Sequence, residues 1–224
     1  MTTFVLVHGG FGSPAELAPV IPELEALGHT AFAVDLPCTD PAATLEDYAQ
    51  AVVDAMIGLD PPIVVVGHSA GGATISLVPN LTRVDGLVYV TAFVPEPGRS
   101  IWDIGGPEVR ETILAISRDD GNGCRSFDLE LLASTVPPEE RDPYLANLSA
   151  TQRPQGWAAM EQPWPGRSFP DVPCTYVLCT EDNVLPPATQ REMATRLGVE
   201  PVEIASDHGV FAIRPHDLAA LIAG

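Results

Sequence analysis

Lysine is absent from this sequence. All 11 basic residues are therefore arginine, and 30 acidic residues bring the formal net charge of the 224-residue chain to −19 at pH 7. Nucleic acids and anionic membrane surfaces attract proteins through clustered positive charge. The composition therefore argues against both of these partners, and it indicates a strongly acidic, solvated surface.

Long apolar runs are missing as well. The uninterrupted apolar stretches are far shorter than the ~20 residues that a membrane-spanning helix needs. The first residues, Met1-Thr2-Thr3, carry no basic segment typical of a secretory signal peptide, and they lead directly into a strand pattern. With 46% hydrophobic residues, the chain suits one globular domain with a full core. We expect a cytoplasmic protein without membrane association.

Cysteine is scarce and scattered. The four cysteines, Cys38, Cys124, Cys174 and Cys179, form no C-x-x-C pair and no cluster with histidine. Cys174 and Cys179 lie five positions apart in one predicted strand, so their side chains point to opposite faces. We therefore expect four reduced thiols, as in a cytoplasmic protein, with no metal and no other cofactor.

The chain does contain an alternation of apolar strand patterns with amphipathic helix patterns. Strands are predicted over 4–7, 30–34, 62–66, 86–90, 174–179 and 202–204. Helices are predicted from a cap at Ser13 to about Leu27, from a cap at Thr44 with Asp47 three residues later, and over 70–81, 187–197 and 214–223. This order predicts an α/β fold with a mostly parallel six-stranded sheet flanked by helices.

The alternation stops between residues 99 and 171. This segment holds Trp102, Trp157 and Trp164, which are all the tryptophans of the chain. Short helices are expected over 107–117, 127–134 and 138–147. Because large aromatic side chains must bury their surface, we interpret the segment as a helical cap inserted into a core made of 1–98 and 172–224. A long disordered loop is the alternative.

The pentapeptide Gly67-His68-Ser69-Ala70-Gly71 stands between a strand pattern and a helix pattern. That context is typical of a G-x-S-x-G nucleophile elbow, which lifts a serine hydroxyl above the sheet. The tight turn favours glycine on both sides, and it leaves the Ala70 N–H unpaired at a helix N-terminus. We predict Ser69 as a nucleophile, and an ordinary strand-to-helix turn is the alternative.

A serine hydroxyl needs a base within hydrogen-bond reach. His208 follows the last predicted strand and Asp182 follows the fifth, so both belong at the sheet edge where Ser69 lies. The order Ser, Asp, His along the chain is the order found in α/β-hydrolases. We predict His208 as the base and Asp182 as its orienting carboxylate. Asp207 and Glu181 are the alternatives for the orienting role.

The other histidines receive structural interpretations. His68 adjoins the predicted nucleophile and is expected to point away from it. His8 is expected to brace the glycine-rich loop after the first strand by hydrogen bonds. His29 and His216 are expected at the surface or at helix ends.

Acyl transfer also requires two hydrogen-bond donors aimed at the oxyanion. One is predicted to be the Ala70 N–H, and the other the Gly10 N–H in the glycine-rich loop, with Phe11 as its alternative. A plain glycine turn is the other interpretation of this loop. The substrate pocket is predicted to be walled by aromatic side chains, each of which could equally have a packing role: Phe11, Trp102, Trp157 and Trp164.

Several segments together resemble the small esterases of the α/β-hydrolase superfamily that are related to plant methylesterases and hydroxynitrile lyases. The similar segments are Val5-Leu6-Val7-His8-Gly9-Gly10, Gly28-His29, Asp35-Leu36-Pro37, Gly67-His68-Ser69-Ala70-Gly71-Gly72, Thr180-Glu181-Asp182 and Ser206-Asp207-His208. The resemblance implies Ser69, Asp182 and His208 as the catalytic residues. It also implies oxyanion donors at Gly10 and Ala70.

Two positions in this resemblance bear on the reaction. The lyases of the family carry Thr at the position of Gly9, and Lys at the position of Gly209 to stabilise departing cyanide. Because both residues are absent here, the resemblance favours ester hydrolysis. The resulting expectation is a cofactor-free serine esterase whose partner is a small-molecule ester or lactone. A ligand-binding receptor without activity, or an amide or C–C bond hydrolase with the same residues, is the alternative.

Overall fold

A parallel β-sheet lies at the centre of the protein in this computed structural model, which describes residues 1–134, 137–167 and 171–224. Its strands are β1 (Thr3–Val7), β2 (Thr30–Val34), β3 (Ile63–His68), β4 (Gly86–Val90), β8 (Cys174–Cys179) and β9 (Val202–Ile204), in the spatial order β2-β1-β3-β4-β8-β9. Every neighbouring pair is parallel. The predicted fold class and sheet are confirmed.

The remaining elements flank this sheet. The short strands β5 (Ser117–Asp119), β6 (Cys124–Phe127) and β7 (Gln155–Gly156) form a second sheet. The helices are α1 (Pro14–Leu17), α2 (Ile21–Ala26), α3 (Leu45–Ala55), α4 (Gly71–Ile75), α5 (Ile101–Ala115), α6 (Leu129–Ser134), α7 (Arg141–Thr151), α8 (Ala158–Glu161), α9 (Pro187–Leu197), α10 (Val210–Ile213) and α11 (Pro215–Ala223). Within the described ranges, none of them is long and apolar enough to cross a membrane.

Both faces of the central sheet are buried, because side chains alternate between the faces of a strand. Val65 and Tyr89 belong to the hydrophobic cluster on one face, and Val66 and Val88 belong to the cluster on the other. The uninterrupted β-branched run of β3 therefore fits a central strand. Its position places the turn that follows it at the middle of the carboxyl edge.

The helices that contain proline differ from the sequence prediction. In place of one helix from Ser13 to about Leu27, the chain forms α1, a 3₁₀ turn over Ala18–Val20 and α2, because Pro19 and Pro22 cannot donate helical hydrogen bonds. The expected helix over 70–81 is likewise divided into α4 and a 3₁₀ turn over Val78–Asn80. The capping box at Thr44 and Asp47 is present.

The segment expected to be a helical cap contains strands as well as helices. The expected helix over 107–117 corresponds to α5, which starts earlier and is interrupted at Gly106, where φ is +82°. The other two expected helices correspond to α6 and to α7 with a preceding 3₁₀ turn. The helical description is incomplete, because β5, β6 and β7 pair antiparallel. Positions 135–136 and 168–170 of the segment lie outside the described residues.

The cap segment is bonded directly to the core. The indole N–H of Trp164 donates to the Ala73 carbonyl over 3.0 Å, and the Leu45 N–H donates to Gln162 Oε1 over 2.8 Å. These contacts anchor the segment on α4 and on the start of α3. The boundaries at 98 and 172 stay a prediction.

Candidate active site

Ser69 occupies a strained turn between β3 and α4. Its φ is +52°, a left-handed conformation that few residues other than glycine adopt. A Cβ on Gly67 would lie 2.9 Å from Ile75 Cδ1, and one on Gly71 would lie 2.6 Å from the His8 carbonyl oxygen. Both contacts are too short, so the turn requires glycine on each side. This is the geometry of a nucleophile elbow.

His208 and Asp182 meet at the same edge of the sheet. His208 Nδ1 lies 2.7 Å from Asp182 Oδ2, and Asp182 is 2% exposed. The backbone N–H groups of Val184 and Leu185 donate to Asp182 Oδ1, and Thr91 Oγ1 donates to Oδ2 over 2.5 Å. Burial raises the pKa of Asp182, but the His208 contact and these hydrogen bonds outweigh it and leave that pKa below its usual value.

The two alternative orienting carboxylates lie elsewhere. Asp207 Oδ1 accepts a hydrogen bond from the Gly209 N–H over 2.8 Å, and its side chain is exposed. Glu181 is exposed too. The structure thus pairs His208 with Asp182, and Nε2 is the ring nitrogen left available for proton transfer.

Ser69 and His208 line the same cavity. No hydrogen bond between described residues joins the Ser69 hydroxyl to the imidazole. Catalytic hydrogen bonds are often long before substrate binds and shorten in the reacting complex. The arrangement therefore holds the acid–base pair together and brings the hydroxyl to the cavity that the imidazole faces.

His68 lies behind His208, as the structural interpretation expects. Its Nε2 is 3.1 Å from the His208 carbonyl oxygen, and its Nδ1 is 3.1 Å from Glu16 Oε1. Burial lowers the pKa of His68, but the negative charge of Glu16 outweighs burial and leaves that pKa raised. The ring therefore pairs electrostatically with Glu16 of α1 on one side and contacts the backbone of the loop carrying His208 on the other.

The loop after β1 is braced from within. The buried His8 ring contacts the Gly9 carbonyl through Nδ1 at 2.9 Å, and its Nε2 accepts from the Leu36 N–H over 3.3 Å. Burial lowers the pKa of His8, so this ring is neutral with its proton on Nδ1. The bracing role expected for His8 matches this geometry.

The loop brings Gly10 beside the turn that carries Ser69. A Cβ on Gly10 would lie 3.8 Å from Ala70 Cβ, so the two residues are neighbours. Among the described residues, neither the Gly10 N–H nor the Ala70 N–H donates a hydrogen bond. The Phe11 N–H, the alternative donor, is already bonded to Gln155 Oε1 over 3.2 Å. Two unpaired donors thus flank Ser69, which suits a developing oxyanion.

A cavity of about 700 Å³ opens above Ser69. Its wall is mainly apolar and includes Phe11, Phe93, Trp102, Val109, Ile113, Ile116, Phe127, Leu132, Leu148 and Met160. Lining residues with ionisable side chains include Glu16, Asp207, His68 and His208, and the described part of the lining contains no arginine. The cavity therefore suits an uncharged, largely apolar molecule.

Two of the aromatic residues predicted for the wall lie outside it. Trp164 is buried against α4, where its indole bonds to the core. Trp157 packs behind the wall, with its ring tilted against two others: its centroid lies 5.0 Å from that of Trp102 and 6.4 Å from that of Phe11. The prediction is corrected for both: their large apolar surfaces support the cap and the wall rather than face the cavity.

Several residues that shape the site were missed by the sequence analysis. Thr91 follows β4 at the same carboxyl edge, a position that could have drawn attention to it. Gln190 in α9 is buried and bonds to the backbone of Cys179 and to Leu185, which steadies the loop carrying Asp182. Glu16 and Gln155 carry no sequence signal of their own, because their partners are distant along the chain.

Nothing in the described ranges resembles a metal centre. The described residues contain no group of three or more histidine, cysteine, aspartate or glutamate side chains placed to hold a metal ion. The four cysteines are free thiols, and three of them are buried. The groups that the described residues bring to the cavity edge are the Ser69 hydroxyl, the His208 imidazole and the Asp182 carboxylate, together with the backbone N–H groups of Gly10 and Ala70.

Three known proteins are similar to this chain over nearly its full length. The pyrethroid hydrolase of Sphingobium wenxiniae is 29% identical over 245 residues, covering 100% of this chain and 87% of that protein. Methylesterase 7 of Arabidopsis thaliana is 28% identical, covering 98% and 94%. Salicylic acid-binding protein 2 of Nicotiana tabacum is 27% identical, covering 97% and 94%.

Solved structures give the same result. The crystal structure of a pyrethroid hydrolase from Sphingobium faniae JZ-2 matches with a TM-score of 0.81 at 26% identity, covering 99% of this chain and 96% of that one. An extracellular alpha/beta-hydrolase from a Paenibacillus species shares the fold, with a TM-score of 0.84 at 23% identity, covering 100% and 98%. The model of the alpha/beta hydrolase family matches residues 4–221, and the chain therefore belongs to that family.

Proposed function

We propose that Ser69, His208 and Asp182 form the catalytic triad of this ester-cleaving alpha/beta hydrolase. The observation that carries the proposal is the 2.7 Å contact between His208 Nδ1 and Asp182 Oδ2 at the sheet edge that also presents Ser69. The full-length similarity to proteins named as a pyrethroid hydrolase and as methylesterases supports cleavage of a carboxylic ester.

Acylation of the enzyme would use both the triad and the two oxyanion donors. Ser69 Oγ attacks the ester carbonyl carbon while its proton passes to His208 Nε2. The carbonyl oxygen becomes an oxyanion, which accepts hydrogen bonds from the Gly10 and Ala70 N–H groups. The C–O bond to the alcohol then breaks, and the proton on His208 passes to the departing alcohol.

Deacylation repeats these steps with water. His208 Nε2 takes a proton from water, the resulting hydroxide attacks the acyl carbon, and the oxyanion forms again between the same two donors. Ser69 leaves and regains its proton from His208, which releases the carboxylic acid. Asp182 keeps the Nδ1 proton of His208 in place and stabilises the imidazolium in both half-reactions.

The cavity supports a neutral and largely apolar ester as substrate. Its volume of about 700 Å³ exceeds what a very small ester fills, and its wall is mainly apolar. Cyanohydrin cleavage has less support. Gly209 lines the cavity where the resembling lyases would place a cation, and a Cβ on Gly9 would lie 2.7 Å from Ser69 Cβ.

The test compares the purified protein with Ser69→Ala on an aryl ester of a medium-chain fatty acid. We expect kcat/KM to fall by at least ~10⁴-fold, because removing a triad nucleophile removes the covalent route. Ser149→Ala is the matched control, since Ser149 is an exposed serine on α7 outside the cavity lining.

The competing readings give different results. Equal hydrolysis by the wild type and by Ser69→Ala would refute the assignment of the nucleophile. Tight binding of the ester without turnover by the wild type would indicate a receptor. Cleavage of the matching anilide in preference to the ester would indicate an amidase.

A further inference from the structure

Phe11 holds a strained backbone conformation next to the oxyanion donor Gly10. Its φ is +62°, which is uncommon for a residue with a bulky side chain. Both of its backbone polar groups are bonded to the cap segment. The Phe11 N–H donates to Gln155 Oε1 over 3.2 Å, and the Phe11 carbonyl accepts from the Arg153 N–H over 2.7 Å.

The Arg153 side chain binds the same loop from the outside. Its Nε donates to the Gly12 carbonyl over 3.3 Å, and its Nη2 lies 3.3 Å from His8 Nε2. The same nitrogen is 2.7 Å from Asp35 Oδ1, and this carboxylate offsets the positive charge of the Arg153 guanidinium. One cap residue therefore contacts the loop on both sides of Phe11.

Gln155 is itself held rigidly. It is 1% exposed, and its Nε2 donates to Tyr48 Oη over 2.9 Å and to the Gly156 carbonyl over 2.8 Å. The Gly156 N–H donates to the Cys38 carbonyl over 2.6 Å. A Cβ on Gly156 would lie 2.5 Å from the Asp40 carbonyl oxygen, so only glycine permits this close approach.

We propose that Gln155 and Arg153 are positioning residues that set the geometry of the oxyanion donor Gly10. The proposal rests on the proposed function, because it assigns a catalytic purpose to the Gly10 N–H. Because Gly10 directly precedes Phe11, holding the Phe11 peptide groups in place restricts the direction in which the Gly10 N–H points. Stabilisation of a transition state depends on donors held in place before the reaction, and small displacements weaken it.

The principal variant is Gln155→Met, which keeps the volume of the side chain and removes its hydrogen bond to Phe11. Tyr48→Phe is the matched control, because it removes a partner of the same glutamine and leaves the Phe11 contact in place. Arg153→Met is a second variant at a more exposed position, and it loses the contacts with Gly12 and His8.

We expect Gln155→Met to lower kcat by about 10- to 100-fold and to change KM by less than about threefold. This loss of kcat is smaller than the loss expected when an oxyanion donor is removed completely. Arg153→Met should lower kcat by a smaller factor, and Tyr48→Phe should stay within about twofold. Phenylboronic acid, which forms a tetrahedral adduct with a reactive serine, should lose affinity in parallel with kcat/KM.

A direct structural measurement accompanies the kinetics. Hydrogen exchange of the Phe11 amide, followed by NMR, should be faster in Gln155→Met than in the wild type and in Tyr48→Phe. If this exchange is unchanged, or if both methionine variants fold and retain kcat within twofold, the positioning role is refuted. A rise in KM with kcat unchanged also refutes it, because the residue would then act on substrate binding.

Failure of the proposed function would look different. In that case the wild type itself would hydrolyse no ester and bind no phenylboronic acid, whatever the amide exchange shows. That result would refute the catalytic purpose of Gly10 and with it the positioning role. An active wild type with an unaffected Gln155→Met variant would refute the inference alone.

Discussion

At the scale of single residues, the pair of Glu16 and His68 is the least expected feature of the site. His68 is 2% exposed and Glu16 is partly buried, so both are ionisable groups largely withdrawn from water. Burial raises the pKa of Glu16, but the charge of His68 outweighs it and lowers that pKa. The pair supports the backbone of His208 through the His68 ring, whose centroid lies 4.8 Å from that of His208.

This pair predicts a pH dependence of stability. The lowered pKa of Glu16 contributes stability that is complete above its ordinary value of 4.5 and is lost as the pH falls through the folded-state pKa. The raised pKa of His68 contributes stability that is complete below its ordinary value of 6.5 and is lost as the pH rises through the folded-state pKa. The substitution Glu16→Gln should therefore lower the free energy of unfolding most between pH 4.5 and pH 6.5.

The measurement is the free energy of unfolding of wild type and Glu16→Gln from denaturant titrations across the pH range. We expect a difference of about 1–3 kcal/mol inside that window, since a buried partner is left unsatisfied, and a smaller difference on either side. Glu23→Gln is the control, because Glu23 pairs with the exposed His216 at the surface. A difference for Glu16→Gln that is constant with pH would contradict the ion pair.

At the scale of secondary-structure elements, α1 and α3 begin with similar residues and different structures. Thr44 accepts from the Asp47 N–H over 3.2 Å, and Asp47 accepts in return from the Thr44 N–H over 2.8 Å. Ser13 precedes α1, but its side chain makes no cap hydrogen bond, and its buried hydroxyl has no hydrogen-bond partner among the residues that the structure describes. A matching sequence pattern therefore produced a cap at only one of the two helices.

This difference can be measured by removing each hydroxyl. Thr44→Ala should lower the free energy of unfolding by about 1 kcal/mol, because the backbone donor at Asp47 loses its partner. Ser13→Ala should change it little or raise it slightly, because a buried hydroxyl without a partner contributes nothing to offset its desolvation. Thermal or denaturant unfolding of the two variants decides the matter. Equal losses would show that Ser13 caps α1 after all.

At the scale of the whole molecule, the net charge of the chain and the lining of the cavity both disfavour an anionic substrate. The chain carries a formal net charge of −19, and the described residues that line the cavity above Ser69 are mainly apolar and include no arginine. An anionic substrate would be repelled at long range and would lose its hydration inside without gaining a cationic partner.

We therefore expect selection against a charged acyl chain. The 4-nitrophenyl ester of hexanoic acid and the mono-4-nitrophenyl ester of adipic acid have acyl chains of equal length and differ at the far end. The carboxylate should lower kcat/KM by about tenfold or more, because burying an unpaired charge is costly. Comparable kcat/KM values for the two esters would contradict the assignment of an apolar substrate class.

Measurements at high salt concentration distinguish the two causes of this selection, which are long-range repulsion and the loss of hydration inside the cavity. Long-range repulsion by the acidic surface is screened at high ionic strength, where the Debye length shrinks to about 3 Å at 1 M salt. The loss of hydration inside the cavity is not screened. We expect most of the discrimination to persist at high salt, measured with both esters in parallel.

Much of this protein follows from local patterns in the sequence. The strands match their expected ranges closely, because β-branched apolar runs are recognisable without knowing their neighbours. The elbow around Ser69 is recognisable from five consecutive residues, although the atoms that exclude a side chain at Gly71 belong to the end of β1 and the residue after it. The prolines are visible in the sequence too. They interrupt the helices over 14–26 and 71–80 more strongly than the hydrophobic periodicity of these segments predicts.

Tertiary structure decided which distant side chains meet. It paired His208 with Asp182 rather than Asp207, occupied the Phe11 N–H with Gln155, and placed Trp157 behind the cavity wall. Each of these outcomes depends on the packing of residues that are far apart in the chain, often across the cap. Sequence periodicity reports which side of its own element a residue faces, whereas the identity of its partner is settled only when the elements pack together.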